Sequence, residues 1–547
     1  MEHLQIKDDE PEALSLEQMP DEIIGHLLYY LSPEDNLFGV QLVSRRFYRL
    51  VNAPLLWKYY CRTSLKYWSP HHRLEERLAA PAQKTNWKRL YIRRSGLNSQ
   101  VSNTLDEVIR TKVNRGRGFE TVSQLGYDAK DVLLEHCQAP TTAEDWIARR
   151  YFSNALLDAV HKHAAIQEWD SLMQSPQLSD PRLESKQLER ALGAFDLFVL
   201  HDQPGDLDDI TRMLDEIATS FRLSHINLQN WPTRKKALEL VRWLRARDLT
   251  GLHDPKKDYR NLRNCLIGQA LRHPDHDSLP IISAAIFCCV AARLGINASS
   301  CSFPSHVHVV VSAPAGFTLD GDLVDEMDSS SQRMFLDPYG SDDEVQLAHL
   351  ERILAQLGFA EHTEQFITPV PASKMAIRVA HNISASLGIP ACSYAGSWAL
   401  LILNRPNRTT WLDRLEKFLR RFPDVYPEDA WLVEKYLWPR FCEVVSNPRD
   451  GFGRHHNRPG GPINPWHFWQ ATAPPVPPGT SRYGFFYSCI AATEPEPHVI
   501  SGRNIEPISD PTLVTEDMFP TAGKYFKRFD AATCKFISNI REEFPQD

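Results

Sequence analysis

The ten cysteines of this chain include no CxxC pair and no regular spacing, which removes the usual cysteine signatures of a structural zinc site or a redox dithiol. Several lie in apolar runs, FCCVAA around Cys288 and Cys289 and RFCEVV around Cys442. They read as reduced, buried thiols of a cytoplasmic or nuclear protein, not as a disulfide framework. No segment approaches the ~18 uninterrupted apolar residues that a membrane-spanning helix needs. The opening MEHLQIKDDEPEAL is acidic and has no apolar core, so no signal or transit peptide is expected there. Positive charge is not in excess either. The 61 Lys+Arg stand against 69 Asp+Glu, a net charge of −8, which argues against general coating of nucleic acid but leaves room for a local basic patch. No internal repeat is found, and no metal or cofactor is expected.

What is present is an ordinary globular balance, 42% hydrophobic and 24% charged, over 547 residues. That length is too great for one core and predicts about three or four domains. Residues 14–61 carry apolar side chains at helical spacing: Ile23, Leu27, Leu28 and Leu31, then Val40, Val43, Phe47 and Leu50. Pro33 breaks the pattern, and Ser32 is placed to cap the turn that follows. Three short helices in so few residues bury little surface, and a partner helix on the exposed apolar face would supply what is missing.

This stretch resembles the F-box. The residues that carry the resemblance are Leu16, Met19-Pro20, Leu27-Leu28, Leu31, Leu42-Val43-Ser44, Phe47, Leu50 and Leu55-Leu56-Trp57. It implies docking to a Skp-type adaptor and, through it, to a cullin ubiquitin ligase. Leu16, Pro20, Leu27, Leu28, Leu31, Val43 and Trp57 are the expected adaptor-binding residues.

Residues 62–184 are helical by pattern and read as a spacer without chemistry. Residues 185–345 mix helix and strand. Pro280 suits the first turn of a helix and Gly295 its end. CSFPSHVHVVVSAP, from Cys301, reads as a strand with His306 and His308 on one face and Val307, Val309 and Val311 on the other. FLDPYG follows with Asp337. A strand histidine followed by an Asp-Pro is how transglutaminase-like folds supply two members of a Cys-His-Asp triad. The nucleophile of such a triad sits at a helix N-terminus, where the dipole lowers the thiol pKa. Here that start is Leu279-Pro280-Ile281, with no cysteine. Cys288 is about 12 Å further along the axis, and Cys301 precedes the strand.

Residues 185–345 resemble the SirB-type transglutaminase-like domain. The matching stretches are Leu279-Pro280-Ile281-Ile282-Ser283, Ala292-Arg293-Leu294-Gly295, Phe303-Pro304-Ser305-His306 and Asp337-Pro338-Tyr339-Gly340. That family generally lacks a cysteine at the helix start. The resemblance therefore implies a vestigial His306–Asp337 site, with no catalytic residue, in a domain that serves as a binding platform.

Residues 346–445 are expected to form a helical extension. Residues 446–480 hold eight prolines and five glycines and read as a linker or irregular loop. Residues 481–547 are expected to form a strand pair, around RYGFFYSCI and HVISGRNIEPI, and a helix-like GKYFKRFD. This tail resembles the YccV-type domain, a small β-barrel named for hemimethylated-DNA binding. Phe485-Phe486-Tyr487, Ile500 through Pro507 and Gly523 through Phe529 match its second half; its first half is not evident. Lys524, Lys527 and Arg528 are the candidate DNA contacts. The tail carries 7 Lys+Arg and 10 Asp+Glu, a balance of 7 − 10 = −3, which disfavours phosphate binding.

The expected fold class is therefore multidomain, mainly α with α+β. The order F-box, transglutaminase-like, YccV-like resembles the architecture of one group of eukaryotic F-box-only proteins. It implies a substrate receptor of a Skp–cullin–F-box ubiquitin ligase that does no bond chemistry itself. Two other functions stay open: a DNA- or chromatin-binding protein working through the tail, and a hydrolase or transamidase using His306 and Asp337.

Overall fold

The structure, a computed structural model, describes residues 16–174, 180–199, 206–304, 306–323, 333–386, 390–404, 409–422, 425–446, 486–489, 498–501, 514, 516–533 and 535–538. The chain divides into two compact units: Met1–Val113 with Gln124–Ser153 and Gly523–Asp547, and Asn114–Ser123 with Asn154–Ala522. Most of the described chain is helical, with one four-stranded sheet and two strand pairs.

In the first unit, four short helices, not three, follow one another: α1 (Asp21–Leu28), α2 (Pro33–Phe38), α3 (Arg45–Val51) and α4 (Pro54–Thr63). Ser32 caps α2 as expected, its hydroxyl accepting from the Asp35 amide at 2.9 Å. Ser44 does the same for α3 through Phe47. Prolines open α2 and α4, where a missing N–H costs nothing. The core of this bundle is Leu28, Val51, Leu56, Trp57, Tyr60 and Cys61, completed by Trp87 and Tyr91. Those last two come from the helix Trp87–Arg110. The stretch after residue 61 is thus not a detached spacer: it closes the core that the short helices cannot close alone. Tyr60 fastens α4 to the others, its hydroxyl accepting from Asn36 and donating to the Leu28 carbonyl, both at 2.6 Å.

GKYFKRFD, expected to be helix-like, is instead a turn over 523–525 followed by a strand. β7 (Phe526–Asp530) pairs with β8 (Lys535–Ser538), and Gly523 lies against Ile147 and Tyr151. The reason is local. The Asp530 carboxylate accepts from the Ala532 amide and the Thr533 hydroxyl, closing a turn that starts a hairpin.

The second unit is built around the helix Pro280–Arg293, in which every residue from Pro280 to Ala292 is buried. Pro280 opens it, and Gly295 ends it with φ +77°, a left-handed position that favours glycine. Helices Pro181–Val199, Leu207–Ser224 and Thr233–Arg245 accompany it. Beside it runs an antiparallel meander of β1 (Asn297–Ser300), β2 (Val309–Ser312), β3 (Arg333–Leu336) and β4 (Glu344–Val345), in that order. The strand expected from Cys301 is shorter than the sequence pattern: pairing begins only at Val309, opposite Leu336. His306 and His308 lie in the irregular chain just before it. Val307, His308, Val309, Val310 and Val311 are all buried, so both faces are covered and no clean alternation marks them.

Residues 346–445 belong to the same unit. Lys162 is buried between Asp158 at 2.6 Å and Asp429 at 2.7 Å, and the Tyr394 hydroxyl donates to Asp429. In the tail, β5 (Phe486–Cys489) pairs with β6 (His498–Ser501). The proline-rich stretch 447–480 and part of the YccV-like positions, Phe485 and Gly502 through Pro507, lie outside the described residues.

Candidate functional site

Two sites emerge, one in each unit. The first is the surface of the four-helix bundle. Its core leaves an unusual number of large apolar side chains in solvent: Leu16, Ile23, Leu27, Leu31, Phe38, Leu42 and Val43 are all exposed, Phe38 by 76% and Leu42 by 72%. Ile23 and Leu27 lie one turn apart on α1. Pro20 is exposed as well. Leu28 and Trp57 differ from the other expected adaptor-binding residues. Both are buried, and the Trp57 indole N–H donates to the Val51 carbonyl at 2.6 Å. They shape the surface through the fold and do not lie on it. Phe38 and Leu42 were not singled out for the surface from sequence, although their spacing of four is visible there.

The second site is the histidine–aspartate pair. His306 Nε2 lies 2.9 Å from Asp337 Oδ1. β2 and β3 bring them together: Val309 pairs with Leu336 in the register that sets Asp337 just past the strand end. The carboxylate also accepts from the Tyr339 amide at 3.2 Å, and a Cβ on Gly340 would meet Asp337 Oδ2 at 2.7 Å, so a larger residue there would push the carboxylate aside. Burial pushes the Asp337 carboxyl up, but the hydrogen bond and charge of His306, then the charge of His308, hold it below its usual range. His308 lies beside His306 with ring centres 4.9 Å apart and the rings tilted by 47°, and burial lowers its pKa to about 4. Tyr339 meets the His306 ring edge-on at 5.7 Å.

Among the described residues, no Ser, Thr or Cys side chain is hydrogen-bonded to His306. The hydroxyls of Ser278 and Ser283 are buried, 2.7 Å from each other, and Ser283 accepts from the Gly251 amide. Burial pushes the Cys288 thiol up to about 12 and raises Cys289 and Cys301 too, so none of them forms a thiolate at neutral pH. Ile281, at the helix start, is buried.

Among the described residues, the tail gives no basic patch of the expected kind. Lys527 is buried, its ammonium 3.8 Å from Asp145, and Arg528 pairs with the same carboxylate at 2.9 Å. Two of the three candidate DNA contacts are thereby neutralised inside their own unit; Lys524 is half-buried.

Comparison with known families agrees with this division. The F-box-like family model matches residues 16–63, and that of the transglutaminase-like superfamily matches residues 208–381. The tail lies outside both. No curated protein and no solved structure matches the chain. The F-box-like domain points to an adaptor or receptor role in ubiquitin ligation. The transglutaminase-like fold belongs to a superfamily that includes enzymes. No helix among the described residues is long and apolar enough to cross a membrane.

Proposed function

We propose that this chain is the substrate-recognition subunit of a Skp–cullin–F-box ubiquitin ligase, with its transglutaminase-like domain as a catalytically inactive platform for the substrate. The observation that carries this reading is the row of exposed apolar side chains on the F-box-like bundle. A protein does not ordinarily leave Leu27, Leu42 and Val43 in water unless a partner covers them. An apolar helix of an adaptor is the partner of matching chemistry. The chain would bring a bound substrate to a ubiquitin-conjugating enzyme, contributing proximity and orientation and no bond chemistry.

Among the described residues no hydroxyl or thiol is bonded to His306, which favours this over the hydrolase reading, because acyl transfer through a covalent intermediate needs a nucleophile beside the base. The pairing of Lys527 and Arg528 with Asp145 disfavours the DNA reading. The test is to deplete the chain from cells and find the proteins whose ubiquitination falls. Wild type and His306→Ala are both expected to restore it, and Leu27→Asp/Leu31→Asp is not. Failure of a folded His306→Ala chain to restore it, with adaptor and substrate binding intact, would revive the enzyme.

A further inference from the structure

We propose that His306, His308 and Asp337 form a zinc-binding site. One nitrogen from each histidine and one carboxylate oxygen lie within 4.8 Å of one another. Tetrahedral zinc with bonds of ~2.0–2.1 Å sets its ligand atoms about 3.3 Å apart. The cluster is therefore already gathered to within about 1.5 Å of a bound geometry, and His306, the most exposed of the three, has room to adjust. The pair at 2.9 Å, His306 Nε2 and Asp337 Oδ1, shares one proton; zinc would take the place of that proton and release it. A second, independent feature points to a ligand. His308 is 7% exposed, and its Nδ1 is buried with no hydrogen-bond partner among the described residues. A buried imidazole nitrogen without a partner is costly, and an ion bound at that nitrogen would satisfy it.

The charge around the cluster allows it. Among the described residues Asp337 makes no ion pair with lysine or arginine; its partner is His306. A similar-looking trio, His71, His72 and Asp128, is the instructive contrast. There the Arg94 guanidinium lies 3.2 Å from Asp128, and the Ser69 amide occupies the same carboxylate, so a fixed cation already fills the place of a metal. Two imidazoles and one carboxylate suit zinc, and three protein ligands leave its fourth position open. This inference does not depend on the ligase reading.

The test uses the full chain, stripped with a chelator and dialysed against zinc in the presence of a competing chelator. Wild type is expected to take up one zinc more than His306→Gln or Asp337→Asn. Each of these should bind at that site at least about 100-fold more weakly, beyond the usual cost of losing even an outer-shell partner. His72→Gln should keep the wild-type behaviour. Should the variants not fold, cobalt added to wild type decides: nitrogen and oxygen ligands give a tetrahedral visible spectrum without a thiolate charge-transfer band. Wild type that takes up no zinc, folded variants that bind as wild type does, or a cobalt spectrum carrying a thiolate band would each overturn the proposal.

Discussion

Cys288, Cys289 and Cys301 lie close in sequence to a histidine–aspartate pair, yet burial raises the pKa of all three, Cys288 to about 12. Cys442, by contrast, is exposed. Brief treatment of the native chain with iodoacetamide should therefore modify Cys442 and spare those three until the protein is unfolded, as peptide mass mapping would read. Rapid native modification of Cys288 or Cys301 would contradict the geometry. For Asp337, replacement by Asn should cost about 1–3 kcal/mol, as for a broken polar pair that is largely buried. Denaturant unfolding in chelator measures it. The sign with pH follows from the depressed carboxyl. The contribution of Asp337 is fully present above its unfolded value of about 3.9 and is lost as pH falls through its lower folded value. A variant as stable as wild type would mean that the two groups do not support each other. The pairing of His306 with Asp337 was legible in the sequence, because F-P-S-H and D-P-Y-G are spaced like strand ends. The closeness of His308 to the same carboxylate was legible only in part. Its i, i+2 spacing puts it on the same side as His306, but its burial depends on helices that no local pattern specifies.

At the scale of elements, the helix Trp146–Gln174 is held partly by His163. Its Nε2 lies 3.2 Å from the Lys435 ammonium, which can only donate, so Nδ1 carries the proton and donates to the Ser123 carbonyl at 3.0 Å. Burial, then Lys435, lowers this histidine to about 4. A histidine lowered on folding weakens the fold as pH falls from about 6.5 towards 4, because the unfolded chain takes up the proton first. The loss should reach on the order of 3 kcal/mol. His163→Gln should flatten that decline, and a ring that titrates near 6.5 by NMR in the native protein would contradict it. Elements with strong local signals were read correctly: the Ser32 cap, the Pro280 start and the Gly295 end all sit where their chemistry predicts. GKYFKRFD was misread because its Phe–Phe spacing of three suits a helix, while the Asp530 turn that makes it a hairpin lies beyond the aromatic run. The strand before Val309 was overextended because burial on both faces gives Val307 and His308 the same apolar surroundings as paired strand residues.

For the whole molecule, the sequence shows an F-box-like stretch and a transglutaminase-like domain, but not that Trp87 and Tyr91 complete the bundle core. Contacts across 30 residues or more carry no local signature. That finding shapes the central test. A fragment ending at residue 61 would lack part of its own core, so the full chain must be used. The measurement is binding of the full chain to a purified Skp-type adaptor by calorimetry, for wild type and for Leu27→Asp/Val43→Asp, whose replaced side chains are exposed and leave the core intact. Burying a leucine or valine in an interface is worth about 1.5–3 kcal/mol. The account predicts a one-to-one complex for wild type, weakened at least about 10-fold in the variant with its thermal unfolding unchanged. No binding by wild type, or equal binding by a folded variant, would contradict it.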